Sequence, residues 1–198
     1  MAALCIALCS ATTVAETTVF SPCPVLFDTV TLKGSSLGKV TCARKIAGEW
    51  KLSDLEGGVL KEKTSGRRFC FVNTHTDHRS ELARIEGVKL ILRRMKSFAE
   101  GLPVVFVGDH NCGPATAPAV AVRKAMKDAR DIAEIRDPGP VNTFHDWGRI
   151  RDVDWRRCDY IYVSDGIRVK DFITHDEKRP GLDRYPTDHF VCTATLEL

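Results

Sequence analysis

Val104-Val105-Phe106-Val107-Gly108-Asp109-His110-Asn111 is the stretch that decides the fold. Four consecutive apolar residues read as a strand buried on both faces. Polar residues able to engage metal or phosphate follow at its C-terminal end. Just upstream, Leu82, Ile85, Val88, Leu92, Met95 and Ala99 recur every three or four residues, the signature of one apolar helical stripe. Ser80 stands where an N-cap belongs, and Gly101 and Pro103 end the helix. Further back, residues 58–63 and 68–74 read as two strands joined by Thr64-Ser65-Gly66, a hairpin whose Gly can take a positive φ.

Downstream, Pro118 suits the first turn of a second helix reaching to about residue 132. Pro138-Gly139-Pro140 then opens a loop that carries Thr143-Phe144-His145, and strands are predicted over 158–164, 167–174 and 189–196. Strand, helix, strand, helix and three further strands imply an α/β protein with helices on an outer sheet face. The segment 1–56 is unassigned. Within it, residues 19–32 are rich in β-branched types and 39–43 read as a further short strand, while 57–198 form the recognisable domain.

Composition sets wide bounds. A chain of 198 residues, 43% hydrophobic and 28% charged, has the make-up of one ordinary globular domain with a real core. A formal charge of +3 permits an anionic substrate without arguing for nucleic acid. The 8 cysteines include no CxxC pair, which excludes a zinc ribbon or a thioredoxin-like motif and favours reduced thiols. The apolar start at residues 2–9 resembles a secretory core region, but the first basic residue is Lys33. A cytoplasmic location is therefore favoured over secretion. No stretch is long and apolar enough to predict a membrane span.

Four segments place polar residues at the end of an apolar strand: Asn73-Thr74-His75, Gly108-Asp109-His110-Asn111, Asp159-Tyr160 and Asp188-His189. Taken singly, each is an ordinary turn or surface pair. Together they sit where layered α/β proteins build sites, at strand ends that meet along one sheet edge.

Those segments also resemble a known family. Residues 71–78, Phe-Val-Asn-Thr-His-Thr-Asp-His, are similar to the FVNTHxDH segment of endonuclease/exonuclease/phosphatase proteins. Gly108-Asp109-His110-Asn111 resembles their GDxN motif, in which the third place is more often aromatic or aliphatic. Thr143-Phe144-His145 resembles their TFH loop. Residues 157–164 resemble R-x-D-Y-I-F-V-S, and Tyr185-Pro186-Thr187-Asp188-His189-Phe190 resembles Y-P-S-D-H-F. Five motifs stand in the family's order.

The resemblance implies a layered α/β sandwich and hydrolysis of a phosphate ester by activated water. It implies that Asp109 orients and deprotonates the water, with Asn111 fixing it or the phosphate. His189 would then give a proton or hydrogen bond to the phosphoryl group, held in the right tautomer by Asp159. His75 would contact a phosphate oxygen, and Asp188 would support a divalent cation, Mg²⁺ or Mn²⁺. Asn73, Asp77, His145 and Arg157 are the implied substrate-binding residues. The implied substrate is a nucleic acid, a phosphoinositide or a phospholipid headgroup.

One departure accompanies the match. The family's first half supplies an Asn after its first strand and a metal-binding Glu in an LQE segment, and residues 1–56 contain neither. The sandwich is accordingly expected to be N-terminally incomplete, and Glu56 is not assigned the metal role. Two other readings follow. A member lacking that Glu would be inactive and act by association, through an exposed sheet face that invites self-association. Alternatively, His75-Thr76-Asp77-His78 matches the end of the HxHxDH signature of two-zinc, metallo-β-lactamase-like hydrolases. Asn73 replaces the first His of that signature, and the later motifs go unexplained.

Overall fold

The computed structural model describes residues 4–8, 25–27, 30–31, 38–46, 49–62, 65–150, 156–178, 181 and 183–198, with side chains from Gly57 onward. In chain order the strands are β1 (Leu4–Leu8), β2 (Val25–Phe27), β3 (Val30–Thr31), β4 (Gly38–Ile46), β5 (Glu49–Glu62) and β6 (Arg68–His75). Helix α1 (Glu81–Ala99), β7 (Val104–Asp109), α2 (Ala117–Arg123), β8 (Lys127–Asp128), α3 (Ala129–Ile132) and β9 (Ile135–Arg136) follow. A 3-10 turn at Asp146–Gly148 precedes β10 (Asp159–Val163), β11 (Arg168–His175) and β12 (Val191–Glu197).

Among the described residues the strands form two sheets. One runs β2-β1-β12-β11-β9. The other runs β3-β5-β6-β7-β10-β8, with β4 also paired to β5. The helix between β6 and β7 is the crossover that two parallel neighbours require, and these two strands are indeed parallel.

Alternation along three central strands explains both the core and the site. Phe69 and Phe71 of β6, Val105 and Val107 of β7, and Ile161 and Val163 of β10 join Cys192, Ala194 and Leu196 of β12 in the core between the sheets. The intervening Cys70, Val72, Phe106, Tyr160 and Tyr162 pack beneath α1 with Val88, Ile91 and Met95. A strand covered on both faces reads as a continuous apolar run, and β6 is buried from Phe69 to Thr74. Continuing the two-residue period beyond the apolar part puts His75, Asp109 and Asp159 on the inter-sheet face, just where the apolar filling ends.

The structure departs from the sequence reading in several places. Helix α1 is capped by the Ser80 side chain as expected, but it turns Ala83 and Ile91 inward and leaves Leu82 exposed. The predicted second helix is cut in two, because Lys127–Asp128 leaves it to pair with β10. The boundary drawn at residue 56 falls inside β5, which continues from Glu49 to Glu62. Elsewhere in segment 1–56 the strand read at residues 39–43 lies within β4, and the β-branched stretch 19–32 holds β2 and β3; β1 pairs with β12 in one sheet, and β3 and β4 pair with β5 in the other. No helix among the described residues is long and apolar enough to cross a membrane.

Candidate active site

Register assembles the site. Ladder pairing sets His75 opposite Asp109 and Asp109 opposite Asp159, so three neighbouring strands present one row of polar residues. His75 Nε2 lies 3.4 Å from Asp109 Oδ2. The opposite sheet supplies His189, just before β12. Its Nδ1 is 2.7 Å from Asp159 Oδ2, and its Nε2 is 4.0 Å from Asp109 Oδ2. On the far side of β6, Asp54 and Glu56 stand opposite His75 and Asn73 in the β5 register.

The turn after β7 holds Asp109 in place. Gly108 has a φ of 147°, and a Cβ there would lie 1.9 Å from the Thr74 carbonyl oxygen, so only glycine lets β6 and β7 approach at this point. Asn111 takes a left-handed φ of 46°. Its backbone N–H donates to Asp109 Oδ1 at 2.8 Å, and its side-chain amide donates to the Thr76 carbonyl at 2.9 Å.

Electrostatics separate the two central groups. Burial, reinforced by the Asp159 charge, pushes the Asp109 carboxyl up to about 7, and His189 opposes the rise. Burial works to lower the His189 imidazole, but the Asp159 charge and hydrogen bond outweigh it and carry the group up to about 9. A carboxyl able to accept a proton near neutrality thus faces an imidazolium able to give one, the division of labour that acid–base hydrolysis needs.

The other residues expected from the sequence scatter. His145 is buried, its ring stacked on Phe190 with centroids 4.0 Å apart, and its Nδ1 accepts from the Gly148 N–H at 2.9 Å. Buried in this way, it braces the loop. Arg157, only 4% exposed, is ion-paired with Asp128 and lies over the Tyr160 ring, which removes it from substrate contact. Asp77 Oδ1 accepts from the Arg79 and Ser80 N–H groups at 2.7 and 2.6 Å, and so shapes the turn into α1. Asn73 is buried at the site end of β6.

Asp188 is half-buried beside His189, and its backbone carbonyl accepts from the His145 and Asp146 N–H groups at 2.9 and 3.1 Å. Among the described residues, the side chains whose ligand atoms converge within 4.8 Å are Asp109, Asp159 and His189, and Asp188 is not among them. Two carboxylates and an imidazole suit a divalent cation. Burial and, second to it, the Asp159 charge disfavour the charged Asp109 carboxylate, and a cation there would offset both.

Two features escaped the sequence reading. His110, the unusual third residue of the Gly-Asp-His-Asn turn, lies on the helix side of the sheet at 4.9 Å from Phe106, 5.3 Å from Tyr160 and 5.4 Å from Tyr162 between ring centroids. It serves as an aromatic ring, and burial drives its pKa down to about 3, so it stays neutral. A cavity of about 450 Å³ also opens next to His189, lined by His175, Lys178, Tyr185, Phe190 and Thr193. Its walls come from separate elements, a grouping no single motif announces.

Neither a protein-family model nor a curated protein matches the sequence. Solved structures do. An endonuclease/exonuclease/phosphatase family protein from Bacteroides thetaiotaomicron superposes with a TM-score of 0.74 at 23% identity, covering 88% of this chain and 69% of that one. The mannosyl-6-phosphatase Bt3783 of the same organism gives a TM-score of 0.73 at 24% identity, with 88% and 70% covered. The endonuclease/exonuclease/phosphatase from Bacteroides vulgatus reaches 30% identity and a TM-score of 0.73, again over 88% of this chain and 69% of that one. With the inter-sheet site in place and a relative this similar over most of both chains, the protein belongs to the endonuclease/exonuclease/phosphatase family.

Proposed function

We propose that the chain hydrolyses a phosphate ester with the help of a divalent cation, using Asp109 as proton acceptor for water and the Asp159–His189 pair as proton donor. The observation that carries this reading is the meeting of Asp109, Asp159 and His189 from two sheets within 4.8 Å. Asp109 reaches neutrality still able to take up a proton, because burial and Asp159 disfavour its charge. Asp159 keeps His189 charged, so the imidazolium can donate to an oxygen that gains negative charge as the ester bond breaks. His75, beside Asp109 and only partly buried, would contact a phosphate oxygen.

Asp109 and Asp159 would hold the cation, with Asp188, adjacent to His189 in sequence, the next carboxylate whose charge reaches the site. Both Mg²⁺ and Mn²⁺ accept such carboxylate oxygens. When bound, the cation neutralises charge on the phosphoryl oxygens. The substrate is a phosphate ester of the nucleic-acid, phosphoinositide or phospholipid-headgroup class.

The test is hydrolysis of p-nitrophenyl phosphate and bis-p-nitrophenyl phosphate with Mg²⁺ or Mn²⁺. Turnover that disappears on chelation and in His189→Ala supports the reading. A well-folded chain without turnover on either ester would instead favour the family member that acts by association.

A further inference from the structure

The Asp159–His189 hydrogen bond joins strands of different sheets. Packed sheets stand about 10 Å apart with no ladder between them, so the register of β10 and β12 does not by itself fix this pair. The segment Thr143-Phe144-His145 binds the two sheet edges together. On the β10 side, the Thr143 and Phe144 N–H groups donate to the Arg156 carbonyl at 3.3 and 3.0 Å. On the β12 side, the Phe190 N–H donates to the Thr143 carbonyl at 2.7 Å, and the His145 N–H donates to the Asp188 carbonyl at 2.9 Å. Phe144 also bridges to His189 and packs edge-on against its ring, with centroids 5.1 Å apart.

Thr143 is the centre of this bracket. Its Oγ1 accepts from the backbone N–H of Cys158 at 2.9 Å and from that of Asp159 at 3.0 Å. One buried residue therefore grips the amide of Asp159 with its side chain and the amide of Phe190, next to His189, with its carbonyl. Both strand ends could be capped by unrelated groups, yet the same three-residue loop caps them.

We propose that Thr143 is a positioning residue that sets the distance between Asp159 and His189 through its hydroxyl and its carbonyl. This rests on the reading above that the pair acts in hydrolysis, although the geometric part can be tested without turnover. Thr143→Val keeps the shape and removes the acceptor, whereas Thr143→Ser keeps the acceptor. The low-field ¹H NMR resonance of the His189 Nδ1 proton, identified by its absence in His189→Gln, reports the hydrogen bond to Asp159 directly.

The expected result is that Thr143→Ser retains this resonance and the native turnover. Thr143→Val loses the resonance, and its kcat falls about tenfold or more with KM changed less than about twofold, the pattern of an interaction needed beyond ground-state binding. A Thr143→Val protein that melts earlier but keeps both the resonance and kcat would overturn the proposal, leaving Thr143 a merely structural residue. Should Thr143→Val fail to fold, Thr143→Cys decides, because sulfur is a weak acceptor of similar size. Partial loss of the resonance and of kcat is then expected, and native values for both would overturn the proposal. If even the native chain hydrolyses nothing, the resonance still judges the bracket, and the fault lies with the functional reading.

Discussion

Asp159 acts on His189 through charge and through one hydrogen bond of 2.7 Å. Removing the charge while keeping the shape, as in Asp159→Asn, should lower kcat by about 10²-fold or more, within the range that general acid–base catalysis supplies. His189→Ala should cost at least as much, and the double substitution little beyond His189→Ala, because groups that act as a unit are not additive. Steady-state kinetics of the three variants checks this. The same contact makes stability depend on pH. The His189 pKa is raised from 6.5 to about 9, so its contribution is fully present below about pH 6.5 and is lost as pH rises through about 9. Asp109, raised from 3.8 to about 7, adds a loss with the same sign at lower pH. Melting temperature in metal-free buffer should therefore fall between pH 6.5 and 9, and Asp159→Asn should flatten that fall. His110 offers a contrasting case. Both of its ring nitrogens are buried without a hydrogen-bond partner. His110→Phe should therefore leave stability unchanged or raise it by about 1 kcal/mol, while His110→Ala should cost about 3 kcal/mol in denaturant unfolding.

At the level of elements, much of the architecture could be read from the sequence, because hydrophobic period and chain punctuation act locally. β7 and the Ser80 cap of α1 lie where the four-residue apolar run and the cap signal put them. The reading failed where tertiary contacts override local preference. Residues 127–128 carry no strand signal of their own, yet they gain ladder partners on β10 and so end α2 early. Leu82 fits the helical stripe by spacing, but it sits in the first turn, and the inward side there is taken by Ala83. The site residues were legible as strand ends. The family resemblance also paired Asp159 with His189, but the local pattern did not show that the two come from different sheets, since that depends on register and on which sheet each strand joins. Arg157 and His145 show the consequence: motif position alone cannot tell a residue that faces substrate from one that holds the scaffold. Gly108 tests the element-level account. Its Cβ-free approach to Thr74 sets the β6–β7 spacing on which the His75–Asp109 contact depends. Gly108→Ala should destabilise by roughly 2 kcal/mol or more. It should also reduce turnover beyond what the lost folded fraction explains, as measured by activity normalised to folded protein.

For the whole molecule, the balance of charge at the seam between the sheets would govern how the proposed cation is held. Residues 1–56 contain no LQE segment, and the carboxylates proposed for the cation are Asp109 and Asp159 of one sheet, with Asp188 beside His189 at the edge of the other. Mg²⁺ surrenders its hydration shell reluctantly and is usually held by one or two carboxylates, so each one is a large part of its affinity. Asp109 is already pushed toward its protonated form, and Asp159 is engaged with His189. A cation must compete with a proton for the first and with the imidazole for the second. Binding should therefore be weak near neutrality and strengthen with rising pH as Asp109 deprotonates. Calorimetric titration with Mg²⁺ at pH 6 and at pH 8 is expected to show affinity increasing between them. The increase should be smaller in Asp109→Asn, which has no proton to displace. Tight Mg²⁺ binding that is independent of pH and survives Asp109→Asn would place the cation on other carboxylates. Asp54 and Glu56, which stand in the β5 register opposite His75 and Asn73, are then the positions to substitute first.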